Sequence, residues 1–230
     1  MKVDEKGVNT LLVKDMNTHL VLKSLRNYKR ATVRELAKAT DLTVVTVKGI
    51  IQDLIEQNKV YEDGSVPSQG GRPSKQYVFN ELSSMGLVVF TRELNGHDSI
   101  CLRVIDLYGQ VKESADHQID IITVEKIEDL ISRFISKYPS IGAISIGLPG
   151  IEFEGKIVAL DYQQIIGNPI VERLKDKFNV PVIVENDVNA AVLGHHACDD
   201  LQRTEVYIYF PRKYPPGAGI KVNGKLHKGN

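Results

Sequence analysis

The sequence predicts an α/β protein of two domains, with a small helical segment that ends in paired strands over residues 1–80 and alternating strands and helices over residues 81–230. Apolar residues recur at helical spacing before Asn80, whereas strand-like and helical runs alternate from Leu87 onward. Charge divides in the same way, because residues 1–80 hold 13 basic and 9 acidic side chains although the whole chain holds 29 of each. The positive excess makes the first segment the better match for a polyanion.

Composition is that of a globular chain, with 42% hydrophobic residues. No apolar run approaches the roughly 18 residues of a membrane span, and the start, MKVDEKGVNT, lacks the apolar stretch of a secretory signal. We therefore expect a cytoplasmic protein. Cys101 and Cys198 stand far apart, and we interpret both as small core residues.

Three helices are predicted in the first segment. The first is indicated by the apolar spacing in NTHLVLKSLRNY, and the second by a capping box in which Thr32 is followed three residues later by Glu35. Thr43 is expected to cap the third helix. The buried stripe of that helix is predicted to comprise Val47, Ile50, Ile51 and Leu54.

The opposite face of the third helix is small, partly apolar and nearly uncharged. Valine and glycine both lower helix propensity, so they are poor choices for a helix face that only contacts water. In a DNA major groove, the valine methyls can contact thymine methyls, and Thr46 and Gln52 can hydrogen-bond to the DNA. Gly49 lets the helix approach the DNA closely, and Lys48 neutralises a phosphate. The predicted DNA-contacting residues of this helix are Thr43, Val44, Val45, Thr46, Lys48, Gly49 and Gln52. The alternative is a three-helix packing domain without a DNA partner.

Two strands around a long turn are predicted in KVYEDGSVPSQGGRPSKQYVFN. The turn and return strand then form the wing of a winged helix-turn-helix. Gly70 and Gly71 let Arg72 enter a narrow space, such as an A·T-rich minor groove, and Lys75 lies near the DNA backbone. The alternative is an ordinary linker, since glycine and proline residues are common in the segments that connect secondary-structure elements.

The second segment predicts an α/β sheet that binds ligands at the carboxyl ends of its strands. Two motifs follow predicted strands, at Gly147–Gly150 and at Glu185–Asn189. We expect both motifs at one edge of the sheet.

Four motifs, GGRPSKQYVFN, GLPG, ENDVNAAVLG and GAGIKVNGKLHKG, together resemble the ROK family of repressors and sugar kinases, which has the actin/hexokinase-like (ribonuclease H-like) fold. The resemblance covers nearly the whole chain in the family's order. It implies that Asn186 and Asp187 hydrogen-bond sugar hydroxyls, that the kinases use this Asp as a base, and that Gly150 and Asn168 belong to the same site. Alternatively, Asp187 and Asn189 only cap a helix that starts at Val188.

Departures from the family's kinases argue against catalysis. The first phosphate loop begins with Asp-x-Gly in the kinases, and Leu94-Asn95-Gly96 stands there instead. The second loop is glycine-rich in the kinases, but PRKYPPGAGI places Pro215 and Pro216 where N–H donors are needed. The zinc motif of the family, and the Glu and His that complete its sugar site, lie beyond residue 230. The pair His195-His196 has no partner spacing for a metal site.

The sequence therefore predicts a transcriptional regulator of carbohydrate-related genes, a repressor that binds a two-fold-related DNA site as a homodimer, with no cofactor, no enzymatic activity and no membrane partner. Its second domain is expected to be incomplete at the C-terminus and to bind a sugar or sugar phosphate weakly or not at all. Two alternatives stay open. One is a divergent sugar kinase, and the other is a DNA-binding protein whose second domain only dimerises.

Overall fold

The structure is a computed structural model that describes residues 5–68, 71–153, 156–160, 162–195 and 202–228. The chain divides into two compact units, Met1–Ser83 and Ser84–Asn230. Within the described ranges, no helix combines the length and the apolar character that crossing a membrane requires.

Three helices form the body of the first unit: α1 (Glu5–Tyr28), α2 (Val33–Thr40) and α3 (Val44–Glu56). α1 begins twelve residues before the predicted helix, because apolar spacing indicated only the part that packs on the core. Side chains from all three helices are buried together, among them Val21, Leu25, Leu36, Val47, Ile51 and Leu54.

Polar side chains fix where α2 and α3 begin. The Thr32 N–H donates to the Glu35 carboxylate at 2.7 Å, and the Glu35 N–H donates to the Thr32 hydroxyl at 3.3 Å. This confirms the predicted capping box. Thr43 caps α3, as predicted, by accepting from the Thr46 N–H at 3.1 Å. Asp41, with φ 57°, ends α2 in the left-handed region and turns the chain into α3.

A three-stranded antiparallel sheet completes the first unit. Its strands are β1 (Arg30–Thr32), β2 (Val60–Ser68) and β3 (Gly71–Phe79), in the order β1-β3-β2. β2 and β3 were predicted. β1 was not, because three residues between two helices are too few to show an alternating pattern.

The second unit is built on a mixed five-stranded sheet in the order β10-β7-β4-β5-β6. β4, β7 and β10 pair in parallel, whereas β5 pairs antiparallel with β4 and β6 pairs antiparallel with β5. With the short hairpin β8-β9, the strands in chain order are β4 (Met85–Leu94), β5 (His97–Ile105), β6 (Val111–Gln118), β7 (Ile141–Leu148), β8 (Gly150–Phe153), β9 (Lys156–Leu160) and β10 (Val182–Asn186).

One hydrophobic core joins this sheet to α4 (Val124–Lys137) and α5 (Ile170–Phe178). Fully buried members include Leu87, Ile100, Leu102, Ile127, Ile131, Ile144 and Ile146. Cys101 is buried, as predicted, and burial raises the pKa of its thiol to about 11. Cys198 lies outside the described residues.

α6 (Asp187–Gly194) packs on a second sheet, formed by β11 (Glu205–Tyr209), β12 (Gly217–Val222) and β13 (Lys225–Leu226). Gly219 is essential to this contact, since a Cβ at that position would lie 2.5 Å from the Val188 carbonyl oxygen. The glycine-rich start of β12 therefore packs against α6.

We expect Thr32→Ala to lower the free energy of unfolding by about 1 kcal/mol, because the first turn of α2 loses its capping acceptor. Urea unfolding followed by circular dichroism measures the change. Thr18→Ala is the matched control, because the Thr18 hydroxyl donates to the Lys14 carbonyl within α1, where alanine is the better helix former. An equal loss in both variants would contradict the capping role.

Candidate functional sites

The outward face of α3 is the first candidate site. Val45 is 81% exposed and Val44 is 49% exposed, although both are branched apolar residues on a helix. Lys48, Gly49 and Gln52 are exposed beside them. The predicted face is therefore formed, and the described residues leave Val45 largely uncovered.

The glycine on this face has no internal packing role. A Cβ built on Gly49 would meet no atom within 4 Å, so the fold does not require glycine there. Beside it, a groove of about 430 Å³ runs between α1 and α3, with Val13 and Asn17 on one wall and Val45 on the other. Alanine would give a more stable helix, and the glycine leaves room for something outside the unit.

Polar side chains on α3 are held in place by their neighbours. The Thr43 and Thr46 hydroxyls are 2.9 Å apart, and the Gln52 amide donates to Glu56 at 3.4 Å. These pairings leave polar atoms at both ends of the valine face.

The β2-β3 hairpin has the position expected of the wing. Arg72 lies on β3, one residue after the strand begins, but its side chain is outside the described residues. Lys75 is exposed and forms an ion pair with Glu62 on β2, with the Lys75 ammonium 2.7 Å from the Glu62 carboxylate. Lys75 therefore serves the hairpin as well as any contact with DNA.

The second candidate site is a cavity of about 370 Å³ at the carboxyl ends of the parallel strands. β10 pairs with β7 so that Asn186 lies opposite Leu148, and both strands end there. The predicted meeting of the GLPG and END motifs at one sheet edge is confirmed. The lining residues are Thr91, Arg92, Glu93, Pro149, Gly150, Tyr162, Asn186, Asp187, Val188, Tyr209, Pro211, Tyr214, Pro215, Pro216 and Gly217.

Asn186 uses most of its hydrogen-bonding capacity inside the protein. Its Oδ1 accepts from the N–H groups of Val188 and Asn189, both at 3.0 Å, which makes it the N-cap of α6. Its Nδ2 donates to the Gly150 carbonyl at 3.1 Å. Helix α6 thus begins at Asp187, with Asn186 as its N-cap, and the Asp187 carboxylate also accepts from the Val188 N–H at 2.8 Å.

Hydroxyl groups complete the cavity wall. Thr91 is 3% exposed, and its hydroxyl interacts with the Tyr162 phenol. Burial raises the pKa of Tyr162, so its phenol stays neutral and can donate a hydrogen bond. The Tyr162 ring meets the Tyr214 ring edge-on at 5.7 Å. No local pattern in the sequence indicates these residues, because only folding brings them to the strand ends.

Asn168 lies apart from this group. It does not line the cavity, and its Oδ1 is buried without a hydrogen-bond partner among the described residues. Its predicted contact with a sugar stays a prediction.

His195 ends α6 near Glu205, with its Nε2 4.0 Å from the Glu205 carboxylate, and His196 is outside the described residues. Over the part of the chain that the structure describes, no group of three or more His, Cys, Asp or Glu side chains is arranged to hold a metal ion.

Comparison with known proteins shows which family this chain belongs to. The sequence profile of the ROK family matches residues 95–230. The chain belongs to the ROK family.

Curated ROK relatives extend the similarity to the first unit. The xylose repressor of Bacillus spizizenii is 30% identical over 228 residues, which are 94% of this chain and 58% of that protein. The N-acetylglucosamine repressor of Escherichia coli O157:H7 is 27% identical over 231 residues, which are 96% of this chain and 56% of that protein. The chain thus spans little more than half the length of these relatives.

Solved ROK structures share the fold. A ROK family transcriptional regulator, described as a homologue of the E. coli MLC protein, superimposes with a TM-score of 0.66 at 22% identity and covers 94% of this chain and 57% of that one. A ROK family glucokinase from Streptomyces griseus has a TM-score of 0.52 at 22% identity and covers 64% of this chain and 47% of that one. The ROK fold therefore includes both regulators and kinases.

We expect Asn186→Ala to loosen the first turn of α6, because three hydrogen bonds of the Asn186 amide are lost. Amide exchange in α6 should become about fivefold faster, which corresponds to roughly 1 kcal/mol for a lost cap. Hydrogen–deuterium exchange with mass spectrometry measures it. Asn186→Asp keeps the capping oxygen and should preserve most of the protection. Unchanged exchange in Asn186→Ala would show that the cap is dispensable.

Proposed function

We propose that this chain is a DNA-binding transcriptional regulator of carbohydrate-related genes, acting as a repressor. Its first unit is a winged helix-turn-helix in which α3 enters the major groove. Its second unit is an actin/hexokinase-like lobe, and the cavity at the strand ends receives a sugar. The observation that carries the proposal is the face of α3 on which Val44 and Val45 are exposed and Gly49 has open space around it.

The shape and chemistry of α3 support this assignment. A major groove admits one helix, and the thymine methyl is the base group that an exposed valine contacts favourably. Lys48 supplies a phosphate contact at the edge of the same face. A homodimer on a two-fold-related operator follows from the usual symmetry of helix-turn-helix regulators.

The names of the relatives support the sugar part of the proposal. The relatives described above are named repressors of xylose and of N-acetylglucosamine, and their similarity extends through the N-terminal unit. We infer that the cavity takes a compound of this class, with Asp187 as its main polar contact.

A sugar kinase is the less favoured alternative. Pro215 and Pro216 line the cavity where a phosphate loop would need N–H donors, and proline has none. Leu94 closes a two-residue hairpin turn at Asn95-Gly96 and has no acidic group for magnesium. Sugar-dependent ATP hydrolysis by the purified chain would favour the kinase.

Two substitutions on α3 separate base contact from phosphate contact. Val45→Ala should change base preference at one position of a site selected from random DNA, because only a thymine methyl contact is lost. Lys48→Ala should weaken binding to all sequences and lower the salt slope by about one. Fluorescence anisotropy over a salt series measures both.

Lys23→Ala is the matched control for the Lys48 test, because it removes an exposed lysine from α1. Its effect on the salt slope should be smaller than that of Lys48→Ala. If the Val45 and Lys48 variants remain folded and bind every sequence like the parent, α3 is not the recognition helix.

Sugar binding should be weak. The Asn186 amide is largely used in capping α6, so the described residues offer few hydrogen bonds to a sugar, each contributing about 1 kcal/mol. We expect a Kd near millimolar for xylose or N-acetylglucosamine, and no measurable binding by Asp187→Ala. Isothermal titration calorimetry tests this, and a low-micromolar Kd for the parent would contradict the prediction.

A further inference from the structure

The Glu93 carboxylate joins two separate segments at the wall of the cavity. Its Oε1 accepts from the Gly96 N–H at 2.6 Å, within the β4-β5 turn where Asn95 and Gly96 both have positive φ. Its Oε2 accepts from the Arg212 N–H at 2.9 Å. The two donors are far apart in sequence and converge on one carboxylate.

Residues 211–216, which we name the strap, include four residues of the cavity wall. A second carboxylate holds the strap, because Asp98 on β5 accepts from the Lys213 ammonium at 2.5 Å and from the Tyr214 hydroxyl at 2.8 Å. The β4-β5 hairpin thus fixes the strap through two acidic side chains.

The surroundings of Glu93 favour negative charge. The N–H groups of Gly96 and Arg212, followed by the positive charge of Arg212, hold the pKa of Glu93 below the ordinary value for glutamate. The Gly96 N–H comes from the β4-β5 turn and the Arg212 N–H from the strap, and backbone N–H groups directed at one point can bind phosphate and other oxyanions. Glu93 stands where the oxygen atoms of such an anion would stand.

We propose that Glu93 is a specificity-determining residue, an internal anion that fills a phosphate-type site in the cavity wall. Because the Glu93 carboxylate occupies the Gly96 and Arg212 N–H donors, a phosphate group would have to displace that carboxylate. It would also have to approach a second acidic side chain, that of Asp187. The cavity therefore accepts an uncharged sugar and discriminates against sugar phosphates and nucleotides. The choice of sugar as the ligand rests on the proposed function, whereas the anion site does not.

Inorganic phosphate tests the anion site without any sugar. We expect Glu93→Ala to bind phosphate at least about tenfold more tightly than the parent, with the amide resonances of Gly96 and Arg212 shifting in ¹⁵N NMR spectra. Glu93→Gln keeps the side-chain volume and should change in the same direction by a smaller factor. Glu172→Ala, which removes an exposed carboxylate from α5, should bind phosphate like the parent.

A gain in phosphate affinity that is confined to the Glu93 variants, with shifts of the Gly96 and Arg212 amide resonances, supports the proposal. The proposal is overturned if neither folded Glu93 variant binds phosphate more tightly than the parent, or if Glu172→Ala gains as much phosphate affinity as they do. It is also overturned if the parent already binds phosphate as tightly as Glu93→Ala. A parallel titration with xylose separates the two ideas, because absent sugar binding together with a phosphate gain would reject the sugar assignment and retain the anion site.

Discussion

The parallel pairing of β4, β7 and β10 is the constraint on which the second unit depends. Parallel strands bring their carboxyl ends to one edge, so three segments distant in sequence meet there. β4 continues past the end of β7, and its overhang carries Thr91, Arg92 and Glu93 to the cavity wall. Without this alignment, Asn186 could not reach the Gly150 carbonyl.

Backbone N–H groups at turns and helix starts decide which polar side chains remain for ligands. Asn186 satisfies two donors of α6, and Glu93 satisfies donors of a turn and of the strap. A side chain used in this way stabilises the fold, and it can bind a ligand only through donor or acceptor sites that are not already occupied. The same sequence motif can therefore describe a helix cap and a ligand contact, and the geometry of Asn186 shows that it is at least the cap.

In the first unit the candidate surface on α3 keeps apolar side chains exposed. The inner stripe of α3 is buried, whereas Val44 and Val45 remain exposed and Gly49 has open space around it. Exposed valine and interior glycine both weaken an isolated helix. A surface that lowers helix stability in this way is typical of one selected for an external partner.

The sequence by itself determined the local elements and their boundaries where a chemical signal was present. The capping box at Thr32, the cap at Thr43 and the inner stripe of α3 depend on residues within one helical turn of each other, so spacing was enough. It also indicated that the GLPG and END motifs share a sheet edge, because both follow predicted strands.

Only the tertiary structure decided which residues form the cavity. Thr91, Tyr162 and Tyr214 come from three distant segments, and Asn168 is outside the lining although its motif suggested otherwise. The β1 strand also escaped prediction because it is three residues long, as did the first half of α1, in which residues 11–16 are exposed and show no buried stripe. For the cavity residues, the physical reason is that long-range packing and strand register choose the neighbours, and neither is encoded in the spacing of one segment.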